Sequence, residues 1–168
     1  MKKLLAFAAI FTSLANADIN HGVSLELDRG VGYTLAAGKF WTGFNLGAYQ
    51  MRASGPSEFK GPVVITPRVF VNYDIFQMSS IPVFAGVSWA EDYGLRDDTK
   101  INKRRILTFP VGMHVKIADH LELAGWMNFF AGYERFAYDS ATDSRYYDPS
   151  YSKRTFLEFG GVSGTYFF

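Results

Sequence analysis

The chain has 168 residues, enough for one domain, with 17 basic and 16 acidic side chains and no cysteine. That balance lacks the basic excess of a nucleic-acid binder, and without cysteine there is no disulfide, thiolate metal site or lipidated anchor. Aromatic residues make up 17% of the chain, yet after the first residues no segment holds the roughly 18 consecutive apolar residues of a transmembrane helix.

The chain opens MKKLLAFAAIFTSLANA. Lys2 and Lys3 precede an apolar run, Leu4 to Leu14, that is too short to cross a bilayer. Ala15-Asn16-Ala17 has the small-x-small form of a signal-peptidase site, so residues 1–17 are expected to be a signal peptide and 18–168 the exported domain. Loss of Lys2 and Lys3 leaves 15 basic against 16 acidic residues.

Eight β-strands follow in the reading, at 19–29, 32–39, 40–52, 63–76, 82–95, 104–117, 121–137 and 153–168. Gly30-Val31-Gly32 is the hinge between the first two. In VVITPRVFVNYDIF, Val69, Val71, Tyr73 and Ile75 alternate with Arg68, Phe70, Asn72 and Asp74. In RRILTFPVGMHVKI, Leu107, Phe109, Val111, Met113, Val115 and Ile117 alternate with a small or polar set. A period of two means a strand with one apolar face. Several stretches exceed 11 residues, whereas strands of soluble domains usually have about five or six and a tilted bilayer-crossing strand about 9–11. Pro67 and Pro110 interrupt this pattern, since proline removes a ladder hydrogen bond; each is expected to mark a bulge or a strand limit.

The connections alternate between short (around Lys39, 77–81, 118–120) and longer and polar (52–62, 94–103, 136–153). The chain ends GVSGTYFF, with Val162, Gly164, Tyr166 and Phe168 on one face. This pattern resembles the C-terminal assembly signal of bacterial outer-membrane barrels, and the whole exported chain resembles the small OmpA/OmpX-type barrels. The resemblance implies an all-β, eight-stranded antiparallel up-and-down transmembrane barrel in the outer membrane, with short turns and both termini on the periplasmic side. It also implies partners: outer-membrane lipid and lipopolysaccharide, the barrel assembly machinery and periplasmic chaperones. Gly160 and Glu158 break the apolar face, and a bulge at Gly160-Gly161 would turn Leu157 and Phe159 outward instead. A soluble exported β-sandwich is the rival fold.

With the apolar face toward lipid, Glu26, Asp28, Arg68, Asn72, Asp74, Ser88, Asp92, His114, Lys116, Glu122, Asn128 and Glu134 point inward. Barrels of eight strands are filled by side chains, so Arg68 and Lys116 are expected to pair with Glu26, Asp74 or Glu122 as a plug. At the other end Lys103, Arg104, Arg105, Arg135, Lys153 and Arg154 start or end three neighbouring strands, and form a candidate basic rim for lipopolysaccharide phosphates. The loop YDSATDSRYYDPSYS has the Tyr/Ser/Asp composition of contact loops and is a candidate for a host-surface or phage ligand.

Catalysis finds little support. Neither G-x-S-x-G nor H-E-x-x-H occurs, no His stands two residues before a Ser, and His21, His114 and His120 fall at the short-turn end. No catalytic residue, metal or other cofactor is expected. The function read from the sequence is a non-enzymatic envelope or adhesion protein acting through loops and rim. A narrow pore and a lipid A-modifying enzyme are the alternatives.

Overall fold

The computed structural model describes residues 18–27, 30–52, 60–94, 103–139, 141–150 and 152–168. The signal-peptide reading of 1–17, the inward placement of Asp28 and the middle of the two loops at 53–59 and 95–102 lie outside these residues.

Ten strands form one antiparallel sheet: β1 Ile19–Glu26, β2 Gly30–Ala37, β3 Phe40–Arg52, β4 Lys60–Met78, β5 Ile81–Glu91, β6 Tyr93–Gly94, β7 Lys103–Ala118, β8 Leu121–Asp139, β9 Ser144–Tyr147 and β10 Lys153–Phe167. Eight of them close a ring in the order β10-β1-β2-β3-β4-β5-β7-β8, with β8 pairing back to β10. β6 continues the line of β5 along β4, and β9 pairs with the top of β8. Alternation of β-branched and aromatic residues with small or polar ones suits such a pleated wall.

Two-residue turns at 38–39, 79–80 and 119–120 lie at one end of the ring. The chain end is held there: Phe168 N donates to His21 O at 2.9 Å and Phe167 N to His120 O at 2.7 Å. The Phe168 ring lies 5.4 Å from the His21 ring and 5.9 Å from Tyr166. Longer connections occupy the opposite end, where 136–153 is not a plain loop: β8 runs on to Asp139 and β9 folds back against it.

The first hairpin differs from expectation. β1 stops at Glu26 and β2 already begins at Gly30, whose φ of 93° only glycine adopts without strain. The wall is low here. The β1–β10 ladder runs from Gly22↔Phe167 to Glu26↔Ser163, whereas β10 pairs with β8 as far as Lys153.

Register shifts settle the irregular positions. Pro110 lies at a shift between β7 and β8, where Phe109 faces Phe130 but Pro110 faces Asn128. Phe129 is thus an extra residue that reverses the alternation of β8. Glu134, expected inside, consequently faces out, and Tyr133 faces in. Opposite Pro67 the β4–β5 pairing stops at Arg68, and β6 resumes it at Ile65. In β10 the register slips between Phe159 and Gly161, leaving Leu157 and Phe159 exposed and Glu158 inside.

Candidate functional site

The ring interior holds polar side chains in three tiers. Glu26 of β1 and Arg68 of β4 form a buried ion pair at 2.6 Å, and Asn45 Nδ2 also donates to Glu26. Toward the short turns, His114 of β7 is clamped between Asp74 Oδ1 at 3.0 Å and Glu122 Oε1 at 2.9 Å, one carboxylate on each ring nitrogen. Only the imidazolium donates from both nitrogens. His114, rather than Lys116, is the cation of this tier; Lys116 is exposed at the mouth, across the ladder from Glu122.

Toward the long loops, buried Asp92 collects Arg104 Nε at 2.7 Å, the Tyr49 hydroxyl at 2.9 Å and the Thr66 hydroxyl at 2.8 Å. Across the interior, Glu158 accepts from the hydroxyls of Tyr133 and Thr155.

Aromatic rings fill the space between the tiers. Trp41 packs edge-on against Phe84 at 4.7 Å and lies 5.5 Å from the His114 ring. The Arg68 guanidinium sits 5.5 Å from the Phe70 ring and 5.7 Å from Trp126. Glycine makes the room: Gly43 stands beside Phe70, Gly112 beside both Phe84 and Trp126, and Gly161 beside Trp126. A Cβ on Gly112 would come within 2.7 Å of Phe84. The cavity left at mid-height is about 30 Å³, room for about one water. The sequence reading expects a hydrogen-bonded plug of ion pairs and does not foresee the aromatic filling. The cross-strand pairing of Phe70, Phe84 and Trp126 with glycines is the signal that would have revealed much of the aromatic part; Trp41 faces Ala36 and Asn72 instead.

The six rim cations do not share one face. Neighbours in a strand point to opposite sides. Arg104 turns inward to Asp92, and Arg135, its partner across the ladder, shares that face. Arg105 points outward, 3.4 Å from Glu91, with its guanidinium 4.7 Å from the Phe136 ring. Lys103 lies 4.6 Å from the Tyr93 ring, and Lys153 lies 4.8 Å from Tyr133 at the lip. Arg154 is exposed.

On the outer surface at this end is a cleft of about 560 Å³. Trp89, Leu107, Gly132 and Arg154 follow one another across β5, β7, β8 and β10. Since Gly132 has no side chain, the row has a slot between Leu107 and Arg154. Phe130 closes one side of the cleft, and Arg105, Lys153 and Arg154 stand at its edge with Glu134. Compared with known proteins, the chain matches no family model, no curated protein sequence and no solved structure.

Proposed function

We propose that the chain is an integral outer-membrane protein, an eight-stranded transmembrane β-barrel of the OmpA/OmpX type. In this reading it supports the envelope or surface adhesion without catalysis, through its long loops and a basic rim that contacts lipopolysaccharide. One observation carries it: the sidedness of the wall is the reverse of a water-soluble protein's. Along β4, Val69 and Val71 are 56% and 47% exposed, while Arg68 and Asn72 on either side of them are 8% and 5% exposed. The same contrast runs through β7, where Phe109, Val111, Met113, Val115 and Ile117 are exposed and Thr108 is buried. Each such large side chain left in water forgoes about 1.5–3 kcal/mol of transfer free energy. An apolar belt round the whole ring exceeds any patch that a soluble monomer tolerates.

Within a bilayer the belt meets acyl chains, and the closed ladder leaves few backbone groups unsatisfied. The short turns and the Tyr166/Phe168 end then lie at the periplasmic interface, where the assembly machinery reads such an end. The long loops face outward, toward host or phage surfaces. The 30 Å³ left at mid-height weighs against the narrow pore. The two histidines at the short-turn end, His21 and His120, are poorly placed for an outer-leaflet ester, which weighs against a lipid A-modifying enzyme.

The test uses the three tryptophans. Trp89 faces out, whereas Trp41 and Trp126 line the interior. Folded into vesicles of lipid brominated on its acyl chains, a protein keeping only Trp89 should be strongly quenched. Proteins keeping only Trp41 or only Trp126 should retain most of their fluorescence. Equal quenching in all three, or failure to insert, would remove the membrane reading.

A further inference from the structure

Resting on that membrane reading, we infer that the outward cleft is a seat for one phosphate-bearing lipid of the leaflet on the long-loop side. One acyl chain lies in the slot over Gly132, and the phosphate sits between Arg105 and Arg154. Three features of the cleft specify an anionic amphiphile. Its floor is apolar and continuous with the exposed belt: Trp89, Leu107 and Phe130 flank the gap that Gly132 leaves. Its edge carries the outward cations Arg105 and Arg154, with Lys153 at the lip beside the inward Tyr133, against the carboxylates of Glu134 and of Glu91. Its donors are not used up: Arg105 Nε is buried without a hydrogen bond, and 3.4 Å is a loose approach to Glu91.

A free phosphate would satisfy the guanidinium groups but leave the slot empty. A neutral lipid would fill the slot but leave the donors unmet. A lipid that carries both chemistries answers both, since guanidinium pairs with phosphate through short charge-assisted bonds. The seat draws on the outward cations alone. Arg104 is held inside by Asp92 and takes no part.

The experiment is native mass spectrometry of the full exported chain released from nanodiscs. The nanodiscs contain phosphatidylcholine with a minor fraction of phosphatidylglycerol, a phosphate-bearing anionic lipid that serves as probe. Wild type should keep one phosphatidylglycerol in preference to phosphatidylcholine. Arg105→Gln with Arg154→Gln should lower that retention about tenfold or more, the loss of one to two charge-assisted bonds. Gly132→Leu fills the slot with every charge in place and should lower it as well. Lys39→Gln, at the opposite end, should change nothing.

Where Gly132→Leu does not fold, Arg154→Glu alone carries the test, because Arg154 is exposed at the edge of the cleft. Retention unchanged in the folded slot and arginine variants would overturn the seat. Displacement of the lipid by millimolar inorganic phosphate would also overturn it, in favour of a plain anion site. If Trp89 is quenched by brominated lipid but retention does not respond, the seat fails and the membrane reading stands. If Trp89 is not quenched, both fall.

Discussion

Replacing Arg68 by Met removes the cation that the structure places on the Glu26 carboxylate among the described residues. The Glu26 side chain is fully buried and that of Arg68 is 10% exposed. Glu26 Oε2 takes both Arg68 and Asn45, while Oε1 has no hydrogen bond among the described residues. Without Arg68 the charge keeps a single amide donor. Breaking a buried pair in this way costs about 3–5 kcal/mol, or roughly two to three and a half powers of ten in the folded-to-unfolded ratio. Adding Glu26→Gln removes the charge and retains an acceptor for Asn45, so the double variant should return to within about 1 kcal/mol of wild type. The assay is urea unfolding in vesicles, followed by gel mobility without boiling and by the emission of Trp126, whose ring lies 5.7 Å from the Arg68 guanidinium. If Arg68→Met alone stays within about 0.5 kcal/mol of wild type, Glu26 is not isolated from water as the geometry requires, and the argument from desolvation fails. If the double variant is no more stable than the single, the loss lies in packing against Phe70 and Trp126 rather than in charge.

Two further outcomes follow from backbone and packing. Gly112→Val drives a Cβ to within 2.6 Å of Trp126 Cβ and should destabilise by about 1–3 kcal/mol, whereas Gly125→Ala, with nothing within 4 Å, should be near neutral; equal melting temperatures would show that the interior can yield. Ser79 and Ser80 both adopt positive φ, 49° and 71°, in a two-residue hairpin that favours Asn-Gly, so replacing the pair by Asn-Gly should stabilise by about 1 kcal/mol in the same urea assay, and no gain would mean that the turn carries no strain.

Period-two alternation was legible wherever a strand is regular. In β7 the residues read as lipid-facing, from Phe109 to Ile117, are the ones the structure exposes. The pairing of Glu26 with Arg68 was within reach for the same reason: both stand on the polar face of regular strands. What alternation cannot report is an inserted residue. Phe129 reverses β8 and sends Glu134 outward, and nothing in LELAGWMNFFAGYE distinguishes Phe129 from Phe130. In β10 the paired glycines did mark such a place, because a glycine doublet admits a bulge that Phe-Phe does not advertise. Charge clusters suffer from the opposite difficulty. Lys103, Arg104 and Arg105 read as one patch, but consecutive strand residues diverge, and only the partners waiting at Asp92 and Glu91 show which goes where. His114 was counted among the polar residues and not as a cation, since its two carboxylates arrive from β4 and β8, distant in the chain.

The short ladder between β1 and β10 bears on the order in which the ring is built. The other ladders of the ring join strands that follow one another along the chain, within reach of a hairpin or a loop. This one joins the two ends, and Gly22 must wait for Phe167. Non-local pairing of this kind is slow, because closure entropy is spent before any contact is returned. The seam is therefore the last ladder to zip, and until it does β1 and β10 each carry an open row of amide and carbonyl groups. The ladder with β1 ends at Ser163, so Phe156, Leu157 and Phe159, all strongly exposed, lie beyond the seam and stay on the surface of the closed ring too. The final strand thus joins an apolar surface to an edge that closes last, and a chaperone that shielded one segment while the ring is open would do most good there.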